Sequence, residues 1–174
     1  MISLSPAGVE DEAFLFELFV SVRLAEYAGS GWSQSEMQTL MWVEFRTQQA
    51  TYAKQSGARH DIVKEGDVPI GRILTTESAH AVQLVDVSLI KPYRGRGIGT
   101  MLVRGLQKLV APTGKPIRLQ VELYNPAMRF YQRLGFQPLR EHFPYLSMEW
   151  SPKSGGNDAR LTSTESESRA RAQA

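Results

Sequence analysis

The feature that most constrains this chain is the seven-residue run Arg94-Gly95-Arg96-Gly97-Ile98-Gly99-Thr100, and above all its position. It follows Ala81 to Ile90, the longest stretch that reads as a strand. It opens a strongly amphipathic segment, Gly97 to Ala111, where Ile98, Met101, Leu102, Leu106 and Leu109 mark one helical face. A strand turning through glycines into a helix points to a layered α/β domain. The start of a helix presents unpaired N–H groups and a positive dipole end, and glycines let a phosphate approach the backbone. Arg94 and Arg96 add charge-assisted donors. The run is not a Walker A loop, because no Gly-Lys-Ser/Thr is present, and the third glycine of a dinucleotide fingerprint would fall at Thr100. Taken alone, it also fits a tight turn with two solvated arginines. An RNA-binding Arg-Gly element is disfavoured, since there is one copy and no interleaved aromatic residue.

The remaining segments fill out that architecture. Ile2 to Leu4 predicts an edge strand, and Phe14, Leu15, Leu18, Val22 and Ala25 recur at helical spacing after the acidic Glu10, Asp11 and Glu12. Gly29, Gly31 and Trp32 predict a loop. Ser33 and Glu36 form a capping-box pattern ahead of a second helix with Met37, Leu40, Met41 and Phe45 on its apolar face. Asp61 to Lys64 and Val68 to Thr75 flank a Glu65-Gly66-Asp67 hairpin turn. In Ala81 to Ile90, strict alternation puts Val85, Val87 and Leu89 on one face and Leu84, Asp86 and Ser88 on the other. Ile117 to Leu123 predicts a strand, and Asn125 to Leu134 a helix capped by Asn125, with Pro126 in its first turn and Gly135 past its end. Phe136 to Leu139 and Phe143 to Trp150 complete a mixed sheet.

Composition removes several classes of function. The 174 residues and 42% hydrophobic content suit one buried domain. After Trp150 the large apolar residues stop, apart from Leu161, so 1–150 reads as the domain and 151–174 as a disordered polar tail. Twenty basic against 18 acidic residues leave a net charge of +2, which argues against a dedicated nucleic-acid binder. With no cysteine there is no disulfide, thiol redox chemistry or cysteine acyl-enzyme. His60, His80 and His142 share no metal-ligand spacing, so no metal is expected. No apolar run approaches the roughly 18 residues of a membrane span. The first basic residue is Arg23, so a charged signal-peptide start is missing and a cytoplasmic protein is expected.

Two motifs in register carry a family resemblance. Arg94-x-x-Gly97-x-Gly99 after a strand resembles the acyl-CoA pyrophosphate loop of the GNAT acyltransferases, written Gln/Arg-x-x-Gly-x-Gly/Ala. Downstream, Asn125-Pro126-Ala127 followed by Tyr131-x-x-x-Gly135-Phe136 resembles a second signature of that family. The resemblance covers roughly residues 1–150. It implies a GNAT fold, a central mixed, mostly antiparallel sheet with a splayed strand pair flanked by helices. It also implies acetyl-CoA as co-substrate, with its pantetheine arm in the splayed gap.

Carried over residue by residue, the resemblance puts backbone groups of Val87 and Leu89, with Ser88 between them, against pantetheine. Arg94 and the run Gly95, Arg96, Gly97, Ile98, Gly99 and Thr100 would cradle the pyrophosphate. Asn125 would contact the cofactor, alongside or instead of capping its helix. Tyr131 matches the family's general acid, which protonates the departing thiolate. Tyr131 also fits a core position beside Ala127, Phe130 and Leu134.

The base is less well marked. An amine with a pKa near 10.4 is neutral in only about one molecule in 10³ at pH 7, so its deprotonation needs help. Sites at which relatives carry glutamate hold Gln83 and Gln120 here. Asp86, acidic within an apolar strand, is the expected base, with Glu122, Glu77 and His80 as alternatives and a water chain as another route. The resemblance implies an acceptor pocket built from the first two helices and the last strands, which makes Trp32, Gln48, Gln49, Tyr52, Glu77 and Tyr145 candidates to line it. Without a cysteine or a Gly-x-Ser-x-Gly elbow, direct transfer to a small-molecule or peptide amine is the expected reaction. No nucleic-acid or membrane partner is expected, and the resemblance suggests a homodimer. The competing expectation is an acyl-CoA-binding module without turnover.

Overall fold

The computed structural model describes residues 1–23, 31, 33–54 and 57–152. The elements run β1 (Ile2–Pro6), α1 (Glu12–Arg23), α2 (Gln34–Ala53), β2 (Ala58–Glu65), β3 (Val68–Glu77), β4 (Val82–Leu89), α3 (Ile98–Val110), β5 (Ile117–Glu122), α4 (Ala127–Arg133), β6 (Gln137–His142) and β7 (Tyr145–Trp150). The strands form one seven-stranded sheet in the order β1-β2-β3-β4-β5-β7-β6. Only β4 and β5 run parallel, and they pair through Val82–Ile117 and Gln83–Arg118 alone. Beyond Gln83 the two strands separate. The mixed, mostly antiparallel α/β sheet and its splayed pair are therefore those expected from sequence.

Each face of the sheet has its own core. Leu15 and Phe19 of α1, Met41 and Phe45 of α2 and Ile62 of β2 form one cluster. Phe45 is fully buried there, and truncating it to alanine is expected to cost about 3–5 kcal/mol. The other cluster joins Ile98, Leu102 and Val103 of α3 to Ile117, Leu119 and Val121 of β5 and to Leu134 and Phe136 at the end of α4. Across it, Gln107 donates from Nε2 to the Leu134 carbonyl at 2.8 Å, tying α3 to α4 by a buried hydrogen bond.

Local grammar sets the helix ends. At α2 the Ser33 hydroxyl accepts from the Glu36 N–H (3.3 Å) while the Ser33 N–H donates to the Glu36 carboxylate (2.8 Å), the reciprocal capping box. The Ser33 hydroxyl, which donates to the same carboxylate at 2.6 Å, and then the Ser33 N–H hold the Glu36 carboxyl below its ordinary pKa. Asn125 accepts from the Ala127 N–H at 2.9 Å, so it does cap α4, although the regular helix starts at Ala127 rather than at Asn125.

Two expectations change. Strict alternation along β4 fails, because Leu74 faces Asp86 whereas Thr75 faces Leu84, which leaves Val85 as an extra residue in a β-bulge. Leu84 consequently joins the α3-side core with Val87 and Leu89, while Val85 moves to the side of Asp86 and Ser88. The last hairpin is also shifted, since β6 extends to His142 and β7 begins at Tyr145 rather than Phe143. Ala25, Gly29, Trp32 and residues 153–174, where a helix end, a loop and a tail are expected, lie outside the described residues.

Candidate active site

The glycine run forms the junction expected from sequence. Gly97 is the N-cap of α3 with φ 79°, and Gly95 also has a positive φ, a conformation that side chains with a Cβ rarely adopt. No side chain caps α3, so the N–H groups of its first turn have no side-chain acceptor. Gly99 differs. A Cβ placed there would meet Phe130 at an ordinary 3.5 Å, so neither packing nor a positive φ calls for glycine. Open space lies instead at Gly95 and Gly97, where an added Cβ would meet nothing within 4 Å, so a phosphate can approach the backbone there. Both arginines have protein partners. Arg94 donates from Nε to the Leu89 carbonyl at 2.7 Å, and Arg96 pairs with Glu65 at 3.3 Å and lies over the Tyr93 ring.

Beside this junction, β4 beyond Gln83 offers β5 no ladder bonds. On the face toward α1 and α2, the Asp86 carboxylate is gripped from the next strand by Arg72, with Nε 2.5 Å from Oδ2. Ser88 donates to Oδ1 of the same carboxylate at 2.7 Å. Arg72 in turn donates to Gln48 Oε1 at 3.2 Å and faces the Tyr52 ring, and its Nη1 is buried without a hydrogen-bond partner. These groups line a cavity of about 220 Å³, together with Arg23, Phe19 and Val85. Two neighbours are electrically silent at neutral pH. Burial pushes the Tyr52 phenol up, while burial and then the Arg72 charge push the His60 imidazole down.

Tyr131 approaches from the opposite face. It packs edge-on to Phe130 and Phe136, so its expected core position is real. Burial first, and the Asp86 charge second, push its phenol up to about 12. A phenol so placed is fully protonated near pH 7, as a proton donor must be. Its hydroxyl makes no hydrogen bond to a protein group among the described residues.

The structure sorts the other candidates. Gln48 and Tyr52 line the cavity, and Gln49 does not. Glu77 is bound by Lys115 Nζ at 2.6 Å near the β3–β4 turn, where His80 is also exposed. Glu122 is exposed at the far end of β5, cross-strand from Tyr145, whose ring lies beside His142. None of these meets Asp86. A larger space of about 700 Å³ lies between α3 and β1–β3 and holds neither Asp86 nor Tyr131. Arg72 and Arg23 were not singled out from sequence, although an arginine within Ile70-Gly71-Arg72-Ile73-Leu74 is a charge inside an apolar strand and was a usable signal. Among the described residues there is no group of side chains arranged to hold a metal, and no helix is long and apolar enough to cross a membrane.

Known proteins supply the wider setting. A family model described as the acetyltransferase (GNAT) family matches residues 10–136. The chain is 30% identical over 129 residues to mycothiol acetyltransferase of Corynebacterium glutamicum (strain R), a match covering 68% of this chain and 44% of that protein. It is 28% identical over 89 residues to Bacillus subtilis (strain 168) YyaT, covering 51% of this chain and 60% of that one. The chain thus spans less than two thirds of the length of these curated relatives. Its fold is similar to that of the PaiA N-acetyltransferase of Thermoplasma acidophilum in complex with coenzyme A, with a TM-score of 0.69 at 20% identity over 87% of this chain and 99% of that one. The ribosomal-protein-S18-alanine N-acetyltransferase of Escherichia coli gives a TM-score of 0.64 at 15% identity over 91% and 98%. Motif register, splayed sheet and family match agree, and the chain belongs to the acetyltransferase (GNAT) family.

Proposed function

We propose that this protein transfers an acetyl group from acetyl-CoA directly to a primary amine held between Asp86 and Tyr131. The observation that carries the reading is the Tyr131 phenol, held protonated and within reach of the Asp86 field. The first turn of α3, with Gly95, Arg96, Gly97, Ile98, Gly99 and Thr100 and flanked by Arg94, holds the pyrophosphate. The open edge of β4 at Val87, Ser88 and Leu89 receives the pantetheine amides, and Asn125 assists from the α4 cap.

The amine nitrogen attacks the thioester carbon, the carbon–sulfur bond breaks, and Tyr131 gives its proton to the departing sulfur. Asp86 takes the proton released by the amine. Among the described residues its Oδ1 accepts a hydrogen bond from Ser88 alone, which leaves a lone pair for the proton while Arg72 and Ser88 fix the carboxylate. Neutral His60 and Tyr52 add no competing charge.

The test combines calorimetric titration with acetyl-CoA and acetyl-CoA-dependent thiol release across a panel of amines. Binding together with acceptor-dependent release supports the reading. Binding without release across the panel favours an acyl-CoA-binding module instead. A pH–rate profile of Asp86→Asn that keeps the wild-type acidic limb removes Asp86 as the base.

A further inference from the structure

We infer that the acceptor carries a carboxylate close to the amine that is acetylated, an inference that rests on the acetyl-transfer reading above. Among the described residues, the cavity beside Asp86 is lined by two guanidinium groups, Arg23 and Arg72, and by one carboxylate, that of Asp86. Asp86 balances Arg72 through its ion pair. Arg23 leans on Glu44, which is not part of the lining, at 3.1 Å. Gln48, Tyr52 and Ser88 contribute dipoles but no charge, and the lowered His60 and raised Tyr52 stay neutral at pH 7.

Each guanidinium is thus matched by one carboxylate, Arg72 by Asp86 within the lining and Arg23 by Glu44 just outside it, so the demand for an anion comes from an unmet donor rather than from net charge. Arg72 has that unmet need, because its side chain is only 6% exposed and its Nη1 is buried with no acceptor. A buried guanidinium donor without a partner is costly, and a carboxylate is the acceptor its geometry suits best. Size points the same way. At about 220 Å³ the space is smaller than the roughly 300–1,000 Å³ of drug-sized pockets, so it suits one amino-acid-sized unit. Two sources offer that chemistry, a free amino acid and the acidic N-terminal residue of a peptide. Polyamines, which offer Arg72 no acceptor, are disfavoured.

The test is thiol release measured on matched acceptors that differ only in the carboxylate. Each free amino acid is compared with its amide and its decarboxylated amine, peptides beginning with Asp or Glu are compared with their Asn or Gln counterparts, and spermidine serves as the cationic control. Carboxylate-bearing members should exceed their partners in kcat/KM by at least about tenfold. The set in which the difference appears distinguishes free amino acid from peptide. Arg23→Gln, at a half-exposed position that tolerates change, should shrink that preference, which guards against misfolding of Arg72 variants. Amides, decarboxylated amines or spermidine used equally well or better would overturn the inference. So would an absence of turnover with every carboxylate-bearing member by protein that binds acetyl-CoA. Loss of acetyl-CoA binding in the parallel titration would count against the acetyl-transfer reading instead.

Discussion

Arg72 and Asp86 meet diagonally across the β3–β4 ladder, since Arg72 pairs in register with Ser88 and Leu74 with Asp86, so both side chains leave one face of the sheet. The arginine is almost fully buried and the aspartate about three-quarters so. Removing one partner strands the other's charge. Arg72→Met is expected to lower unfolding free energy by about 3 kcal/mol, near the low end for broken buried pairs because Asp86 retains some solvent. Adding Asp86→Asn should recover part of that loss in a urea-denaturation double-mutant cycle. Additivity within about 0.5 kcal/mol would show that the two are not coupled.

Tyr131→Phe keeps the ring packed against Phe130 and Phe136 and deletes only the hydroxyl. Turnover should fall by about 10²–10⁴-fold, the usual worth of a positioned proton donor, with melting temperature and acetyl-CoA affinity little changed. Thiol-release kinetics beside a calorimetric titration check this, and wild-type kcat in the variant would end the assigned role.

Gly97 and Gly99, two positions apart, should behave in opposite ways. Gly97→Ala forces a Cβ into a left-handed N-cap and should destabilise the fold by about 1 kcal/mol or more. Gly99→Ala meets only an ordinary contact with Phe130, so stability should hold or rise by up to about 1 kcal/mol, as for alanine within a helix. On the pyrophosphate site proposed above, acetyl-CoA affinity should nevertheless drop, because a methyl thickens the backbone surface that the ligand approaches. Unaltered affinity in Gly99→Ala would place the pyrophosphate elsewhere.

His60 links the cluster to acidity. Its folded pKa is lowered by burial and by Arg72, so the unfolded chain binds the proton more readily. Stability from this group is therefore complete above the ordinary imidazole value near 6.5 and is lost as the pH falls below it. Thermal melts of the wild type at pH 7.5 and 5.5 should show this loss, and His60→Gln should reduce it. Tyr131 acts at the other extreme. With its phenol raised to about 12, the unfolded chain loses the proton first, so rising pH between about 10 and 12 destabilises the fold.

Much of this arrangement was legible because it is local. The Ser33–Glu36 capping box, the Asn125 cap and the turn at Gly95 and Gly97 depend on residues two or three apart, and the sequence displays them directly. The Val85 bulge was not legible, because it arises from how β4 meets β3, and it alone decides that Leu84 enters one core while Val85 faces the cavity. Arg72 belongs to the same class. Its role depends on a partner fourteen positions away and on α2 lying above it. Glu77 and Tyr145 were expected in the pocket from their elements alone, yet Lys115 and the β5–β7 pairing hold them elsewhere.

The two rungs that join β4 to β5 make this one sheet in name and two plates in mechanics. β1–β4 form one plate, β5, β7 and β6 the other, and the seam is Val82–Ile117 and Gln83–Arg118. The strand edge left open inside the molecule is a template for hydrogen bonds that no part of the described chain supplies. A bound acyl-CoA arm would act as the missing rungs, a splint across the crack as well as a reactant. Saturating it at about 100 times its dissociation constant should add about 2.7 kcal/mol of stability, seen chiefly as slower amide exchange along the facing edges of β4 and β5.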